Sequence, residues 1–226
     1  MQQHEEDRVS TTFCFIDVAG FTALTEAHGD EAAADLVERL TSLVRDTVAM
    51  CGEAALLEIV GDAALIRCAN PARSVDIVRS VFRKAATESN FPVLRAGLHY
   101  GPVLQRGGRF FGTTLNLAAR VASMARGGQV LCTHTVAEAA AEMGVATHSL
   151  GSRELRNLTT PVELFELRFD TEADDTVIDP VCRMRVHPST AAGSLRHDDR
   201  TWYFCSLACV RTFAERPEVY TGHQNG

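Results

Sequence analysis

Two aspartates stand beside glycine-containing turns, in settings that suit a metal ion held over phosphate. Asp17 ends the apolar run 12–16, and Asp62 directly follows Gly61 between two further apolar runs. Carboxylate oxygens are ligands that Mg²⁺ prefers, and phosphoryl transfer relies on metal ions and cations around the phosphates. The two side chains are therefore predicted to hold Mg²⁺ or Mn²⁺ over a nucleoside triphosphate. Taken alone, each aspartate is equally typical of a turn or a helix cap.

The turn after Asp17 is a candidate phosphate-binding segment. It continues through Gly20, Phe21 and Thr22. A glycine turn that leads from a strand into a helix offers backbone N–H groups to phosphate oxygens. These three residues are therefore predicted to bind the substrate.

A second segment supplies an amide and a guanidinium group. Asn116 and Arg120 are four positions apart in a helical pattern, so both project from one face. Arg120 suits the stabilisation of charge on the α-phosphate in the transition state, and Asn116 suits the orientation of the ribose. The alternative is that Arg120 is a solvated charge and Asn116 a residue of the helix N-terminus.

The elements that must position these residues follow from hydrophobic periodicity and turn signals. The turn residues Gly61 and Asp62 join two strands. Mixed helices and central hairpins predict a mainly antiparallel sheet covered by helices on one side. Strands are predicted at 11–17, 54–60, 63–68, 93–100, 129–133 and 162–168, and helices at 30–50, 72–87, 113–125 and 136–143.

Together these segments resemble the catalytic domain of class III nucleotide cyclases, over about residues 9–169. The stretch from Arg95 to Gly101 also resembles the central strand of that family. The resemblance implies an α+β fold, a ferredoxin-like α/β sandwich, and conversion of ATP or GTP to the cyclic nucleotide and pyrophosphate. It also implies a head-to-tail homodimer in which the metal-binding aspartates and the Asn/Arg pair come from different subunits. Arg95 is predicted either to contact phosphate or to pair with an acidic neighbour.

Two positions depart from the members of this family that use ATP. Those members carry Lys where this chain has Glu58, and Asp or Thr where it has Arg109. Glu58 can accept hydrogen bonds from N1–H and N2–H of guanine, and Arg109 can donate to O6 or N7. An ion pair between the two residues across the base pocket would instead leave base selection loose or block the pocket. Three alternatives follow: a preference for guanine, relaxed or ATP use, and a catalytically silent domain.

A second group of residues near the C-terminus suits a soft metal ion. Cys205 and Cys209 are four positions apart at the start of a predicted helix, and Cys182 precedes them in the chain. This segment, about residues 177–221, resembles a YHS domain, a small α+β module related to TRASH-type metal-binding modules. Three thiolates suit Zn²⁺ or Cu⁺. A histidine is a possible fourth ligand, and the candidates are His187, His197 and His223.

Composition narrows the class of protein. A formal net charge of −7 disfavours a general nucleic-acid binder, because phosphate backbones require clustered Lys and Arg. No apolar run has the length of a membrane span, and residues 1–9 lack an apolar signal core, so we expect a cytoplasmic protein. The acidic stretch 170–176 is predicted to be a linker. Two functions remain: a nucleotide cyclase, or a catalytically silent cyclase-like dimer that senses nucleotide or metal.

Overall fold

The computed structural model describes residues 8–88, 90–156, 158, 160–169 and 175–221. Most of the predicted linker, residues 170–174, lies outside the described residues. We call the described part up to residue 169 the N-terminal domain and residues 175–221 the C-terminal module. Among the described residues, none forms a helix that is both long and apolar enough to cross a membrane.

One sheet organises the N-terminal domain. Its strands are β1 (Arg8–Val18), β2 (Ala54–Val60), β3 (Ala63–Cys68), β4 (Leu94–Arg106), β5 (Arg109–Phe111), β6 (Val130–Thr133), β7 (Ala146–Arg153) and β8 (Val162–Arg168). The first four lie in the order β2-β3-β1-β4 and are connected in the βαββαβ pattern of a ferredoxin-like fold. Strands β6, β8 and β7 extend this sheet beyond β4, and only the β4–β6 pair among these neighbours is parallel.

Helices cover the two faces of the sheet unequally. The helices are α1 (Phe21–Ala49), α2 (Pro71–Thr87), α3 (Thr113–Met124) and α4 (His134–Glu142). Even-numbered residues of β1, such as Cys14 and Ile16, lie in the core formed with α1, α2 and α4. Odd-numbered Phe13 packs instead against Ala118 of α3. The expectation of helices on one side only was therefore wrong, because α3 lies on the opposite face.

Close backbone approach explains how α3 is seated. A Cβ added to Gly97 of β4 would lie 2.1 Å from the backbone nitrogen of Ala122. A Cβ added to Gly101, four residues further along β4, would lie 2.8 Å from Oγ1 of Thr114. Only glycine fits at such distances, so these two positions let the helix lie directly on the strand.

Helix α1 is longer than its sequence pattern predicted. It begins at Phe21 rather than at Asp30, and it passes through Gly29, whose φ of 87° and ψ of 168° interrupt the helical backbone. The sequence placed the start at this glycine because Gly and Asp commonly precede helices. The structure instead places one more helical segment before Gly29, and this segment carries His28.

The C-terminal module is built from two short hairpins and two helices. Its elements are β9 (Val177–Ile178), β10 (Arg185–Val186), a 3₁₀ turn (Pro188–Thr190), β11 (Gly193–His197), β12 (Arg200–Phe204), α5 (Leu207–Glu215) and α6 (Pro217–Thr221). Phe213 of α5 lies within ring-contact distance of Trp202, Phe204 and Tyr220. This aromatic group is the module's own core, which is small for an independent fold.

The module is fastened to the N-terminal domain by backbone hydrogen bonds. The N–H of Val93 donates to the carbonyl of Arg183 at 3.2 Å, and the N–H of Arg185 donates to the carbonyl of Phe91 at 3.2 Å. Buried residues of the two parts also belong to one continuous apolar core. The segment that leads into β4 is therefore shared by the two parts.

Candidate active site and metal centre

The acidic pair, which we define as Asp17 and Asp62, forms at the end of the central strands. Antiparallel pairing places Ala63 opposite Asp17, so the adjoining turn brings Asp62 to the same end of the sheet. Burial, followed by a side-chain hydrogen bond to Asp17, raises the pKa of Asp62 to about 7. Two carboxyl groups this close to each other present a site where a divalent cation can bind.

Arg95 supplies a positive charge to the acidic pair. It lies opposite Asp17 on β4, and its Nε and Nη2 donate to Oδ2 of Asp17 at 2.8 and 2.5 Å. Of the two roles predicted for Arg95, the structure shows the pairing with an acidic neighbour, which is Asp17. Because both bonds end on one carboxylate oxygen, Oδ1 of Asp17 is not used by Arg95.

The predicted phosphate-binding turn follows Asp17 directly. Gly20 precedes helix α1 with a φ of 78°, in the left-handed region that favours glycine. Phe21 and Thr22 occupy the first turn of α1, where backbone N–H groups have no acceptor within the helix. A Cβ added to Gly20 would lie 2.7 Å from Cγ of Arg183, so a side chain of the C-terminal module packs on this turn.

Asn116 and Arg120 lie on α3, on the same side of the sheet as Asp17. Asp17 shares the odd-numbered face of β1 with Phe13, against which α3 packs. The side chain of Asn116 is exposed and that of Arg120 is half-buried. Among the hydrogen bonds and ion pairs of the described residues, none joins Asn116 or Arg120 to the acidic pair. Within one chain, the structure therefore gathers the acids and Arg95 but does not bring these two residues into contact with them.

Glu58 and Arg109 lie on different parts of the sheet. Glu58 is exposed on β2, at a point where the pairing with β3 shifts register, and Arg109 is exposed at the start of β5. The ion pairs of the described residues do not include one between these two side chains. The alternative of an ion pair across the base pocket is thus not realised within one chain.

The thiol cluster, which we define as Cys182, Cys205 and Cys209, has the compactness of a metal site. The Sγ of Cys205 lies 3.4 Å from that of Cys182 and 3.8 Å from that of Cys209. Cys182 and Cys209 are buried, and Cys205 is half-buried. Hydrogen bonds from Cys182 and then from Cys205 lower the pKa of Cys209 to about 2. A cluster that already favours one thiolate is chemically suited to a soft cation.

A histidine from the N-terminal domain lies beside this cluster. The Nε2 of His28 is 3.5 Å from Sγ of Cys205 and 3.8 Å from Sγ of Cys209. The ligand atoms of these four residues all lie within 4.8 Å of one another. Sequence reasoning missed His28 because it stands 177 positions before Cys205 and outside any motif.

The histidines that the sequence offered as fourth ligands do not join the cluster where they can be described. His187 contacts Oγ of Ser189, at 3.1 Å from its Nδ1, and His197 lies 3.3 Å from a carboxylate oxygen of Asp198. His223 lies outside the described residues. Proximity along the chain was therefore a poor guide to this ligand.

Asp179 organises the backbone around the thiol cluster. It is fully buried, and its Oδ1 accepts hydrogen bonds from the N–H groups of Val181 and Cys182 at 2.9 and 3.4 Å. Its Oδ2 accepts from the N–H of Cys205 at 2.8 Å. One carboxylate thus links two of the cysteine-bearing segments. The signal for this role was present in the sequence, because an aspartate followed by proline commonly forms such side-chain turns.

Comparison with known proteins identifies both parts of the chain. The profile of the adenylate and guanylate cyclase catalytic domain matches residues 1–168, and that of the YHS domain matches residues 177–224. A pH-sensitive adenylate cyclase of Mycobacterium tuberculosis (strain CDC 1551 / Oshkosh) is 36% identical over 161 residues, covering 70% of this chain and 40% of the relative. The chain thus spans less than half of the length of such curated relatives.

Solved structures agree on the fold. An adenylate cyclase of Trypanosoma brucei in its monomeric state superposes with a TM-score of 0.63 at 23% identity, covering 70% of this chain and 87% of that one. The guanylate cyclase domain from Catenaria anguillulae in complex with GTP gives a TM-score of 0.62 at 19% identity, covering 72% and 98%. These likenesses establish the α+β sandwich predicted from the sequence.

Proposed function

Because the chain belongs to the family of adenylate and guanylate cyclase catalytic domains, we propose that it converts ATP or GTP to the 3′,5′-cyclic nucleotide and pyrophosphate. The observation that carries this proposal is the acidic pair, in which the half-buried side chains of Asp17 and Asp62 meet at the end of the central strands. Two carboxylates held this close repel each other unless a cation or a proton lies between them. A nucleotide–metal complex supplies that cation.

The chain's own residues divide the work at this site. Asp17 and Asp62 would hold two Mg²⁺ or Mn²⁺ ions, which supply activation of the ribose 3′-hydroxyl and neutralisation of the triphosphate. Gly20, Phe21 and Thr22 offer backbone N–H groups to phosphate oxygens. Arg95 keeps Asp17 oriented through its two hydrogen bonds.

Catalysis would take place at the interface of a head-to-tail homodimer. Asn116 and Arg120 are not joined to the acidic pair by hydrogen bonds or ion pairs within one chain, so a second copy would supply them across the interface. Arg120 would then stabilise charge on the α-phosphate, and Asn116 would orient the ribose. Exposed apolar side chains on β2, Leu57 and Val60, support an interface beside Glu58, since large apolar groups are usually buried.

Base selection would involve Glu58 and Arg109. Both side chains are exposed in one chain and would meet the base only in the assembled dimer. Glu58 matches the N–H groups of guanine, and Arg109 matches its acceptors. Use of either ATP or GTP remains compatible with this arrangement, so the proposal includes both nucleotides.

The thiol cluster would bind Zn²⁺ or Cu⁺, since three thiolates are typical ligands of both ions. A second-messenger enzyme in the cytoplasm, where thiols remain reduced, would keep this cluster available for metal. The free state of all seven cysteines agrees with such a compartment.

A silent, metal- or nucleotide-sensing dimer is the alternative function. The observation in its favour is the absence of both adenine-reading residues, with Glu58 and Arg109 in their places. Such a protein would bind nucleotide without turning it over. Binding and turnover therefore have to be measured on the same preparation.

A direct assay separates the two functions. Purified chain is incubated with ATP or with GTP in the presence of Mn²⁺, and cyclic nucleotide and pyrophosphate are quantified. We expect equimolar formation of the two products from at least one nucleotide, and none from an Asp17→Ala, Asp62→Ala variant. Saturable nucleotide binding without either product would overturn the cyclase proposal in favour of the sensing dimer.

A further inference from the structure

The position of His28 relative to the thiol cluster has the dimensions of a tetrahedral metal site. With Zn–S bonds of about 2.3 Å and a Zn–N bond of about 2.05 Å, a regular tetrahedron requires S···S edges of about 3.8 Å and S···N edges of about 3.6 Å. The two S···S separations involving Cys205 are 3.4 and 3.8 Å. The two S···N separations from His28 are 3.5 and 3.8 Å. Four of the six edges therefore match such a tetrahedron, and the remaining two, from Cys182 to Cys209 and to His28, are at most 4.8 Å.

The thiol cluster is positioned by hydrogen bonds that do not involve His28. Asp179 fixes the backbone at Cys182 and Cys205. The Oγ of Ser206 caps helix α5 and accepts from the N–H of Cys209 at 3.2 Å. These contacts orient the three sulfurs toward one point, and His28 approaches that point from helix α1 of the other part of the chain.

We propose that His28 is the fourth ligand of a zinc ion held by the thiol cluster, so that the metal fastens the C-terminal module to the cyclase domain. A set of three thiolates and one imidazole in a tetrahedral arrangement is typical of structural Zn²⁺ sites. Trigonal Cu⁺ would need the three thiolates alone and would leave His28 without a role. The inference rests on the proposed metal binding by the cysteines.

The metal ion would stabilise the contact between the C-terminal module and the predicted phosphate-binding turn at Gly20. Cys182 is followed directly by Arg183, whose side chain packs on Gly20 and whose carbonyl accepts from the N–H of Val93. His28 stands at the end of the helical segment that starts with Phe21. One metal ion would therefore hold the C-terminal end of this short helical segment through His28. Arg183, which follows the ligand Cys182, packs on Gly20 at the start of the segment.

Metal affinity provides the first test. The full chain is reduced, freed of metal and titrated anaerobically with Co²⁺, whose visible spectrum reports tetrahedral thiolate coordination, and with Zn²⁺ in competition with a chelator. Loss of a residue that merely supports a ligand lowers metal affinity by about 10–100-fold, so His28→Ala is expected to lower zinc affinity by about 100-fold or more. His187→Ala, which changes a histidine of the C-terminal module outside the cluster, is expected to bind like wild type.

A variant that replaces the nitrogen ligand by a sulfur ligand controls for misfolding of His28→Ala. His28→Cys is expected to retain zinc and to add intensity to the thiolate-to-cobalt charge-transfer band, because a fourth sulfur replaces nitrogen. Unchanged zinc affinity and an unchanged cobalt spectrum in His28→Ala would overturn the assignment of His28. Failure of the wild type to take up zinc or cobalt would overturn metal binding by the cysteines as well, without bearing on the cyclase assay.

Hydrogen exchange tests whether the metal joins the two parts. Addition of Zn²⁺ should slow amide exchange in the segment 21–28 of wild-type protein but not of His28→Ala. Protection confined to the C-terminal module in both proteins would mean that the ion does not bridge the parts, and would overturn the proposal. This readout needs no nucleotide and no catalytic activity.

Discussion

The acidic pair and the thiol cluster are two candidate metal sites built in opposite ways. The acidic pair comes from neighbouring strands of one sheet, and strand register alone brings its members together. The thiol cluster with His28 comes from three separate segments in two parts of the chain. The first site is held by backbone pairing, whereas the second is held by a buried carboxylate, a helix cap and the packing of two modules.

The ligand atoms differ as much as the scaffolds. Carboxylate oxygens suit hard cations that exchange readily with nucleotide, whereas thiolates and imidazole suit a retained soft ion. The two sites nevertheless adjoin the same turn, because Asp17 precedes Gly20 in the chain and Arg183 packs on it. The comparison shows that the proposed catalytic metal site and the proposed structural one lie on two sides of the same turn and differ in the chemistry of their ligand atoms.

The largest expected effect tests that separation. Asp62→Asn removes one ligand charge, and since a catalytic metal contributes several kcal/mol, kcat for cyclisation should fall by about 100-fold or more. Zinc content of the same variant should not change. The matched control is Asp76→Asn, whose carboxylate pairs with Arg79 on α2. Equal activity of the two variants, measured as cyclic nucleotide formed with Mn²⁺, would remove Asp62 from the catalytic site.

The second prediction concerns the base and leaves both metal sites intact. A buried hydrogen-bonding group without a partner costs about 1–3 kcal/mol, so the Glu58→Lys, Arg109→Asp variant should shift the ratio of kcat/KM for ATP over GTP by about tenfold or more toward ATP. The exchange Glu31→Lys, Arg73→Asp makes the same change of charge at exposed positions of α1 and α2. An unaltered ratio in the first variant would exclude these residues from base selection.

The third prediction measures the contact between Arg183 and the turn at Gly20. Gly20 and Gly52 both have positive φ, so alanine at either should cost about 1–2 kcal/mol of unfolding free energy. Only at Gly20 would the new Cβ meet Arg183, so Gly20→Ala should cost more than Gly52→Ala in urea unfolding. Combination with Arg183→Ala should remove this excess. A persistent excess would show that Arg183 does not pack on the turn in solution.

Much of the first site could be predicted from the sequence, for a physical reason. The strand ending at Asp17 and the hairpin turn at Asp62 are local patterns, whereas the antiparallel pairing of β1 with β3 that brings them together comes from the resemblance to a known fold. The two faces of the sheet were harder to predict. The local sequence of α3 does not show which face of the sheet it covers. Its position depends on Gly97 and Gly101 of β4, where the helix approaches the strand closely.

The second site could be predicted only in part. The spacing of Cys205 and Cys209 indicated a metal ligand set, although the structure places Cys205 just before α5, whose N-cap is Ser206, and not on one face of the helix. His28 carried no such signal, since Gly29 suggested that the helix began after it. A ligand supplied by another part of the chain becomes visible only when the packing of the two parts is known.

The last expected effect is the pH dependence of stability in the metal-free protein, and it concerns the acidic pair. The pKa of Asp62 is raised from 3.8 to about 7, so the folded state retains a proton that the unfolded state releases. The stabilising contribution is complete below pH 3.8 and is lost as the pH rises through 7. Asp17 and Arg95, which face Asp62, act in opposite directions on this pKa, and burial outweighs both.

Urea unfolding of metal-free protein at about pH 5 and about pH 8 measures this loss. Asp62→Asn should be less sensitive to pH than the wild type, because the amide keeps a hydrogen-bond donor toward Asp17 at both values. Asp76→Asn should retain the sensitivity of the wild type. If Asp62→Asn and the wild type lose stability equally, the retained proton is not at the acidic pair, and the argument that a nucleotide–metal complex replaces it there fails.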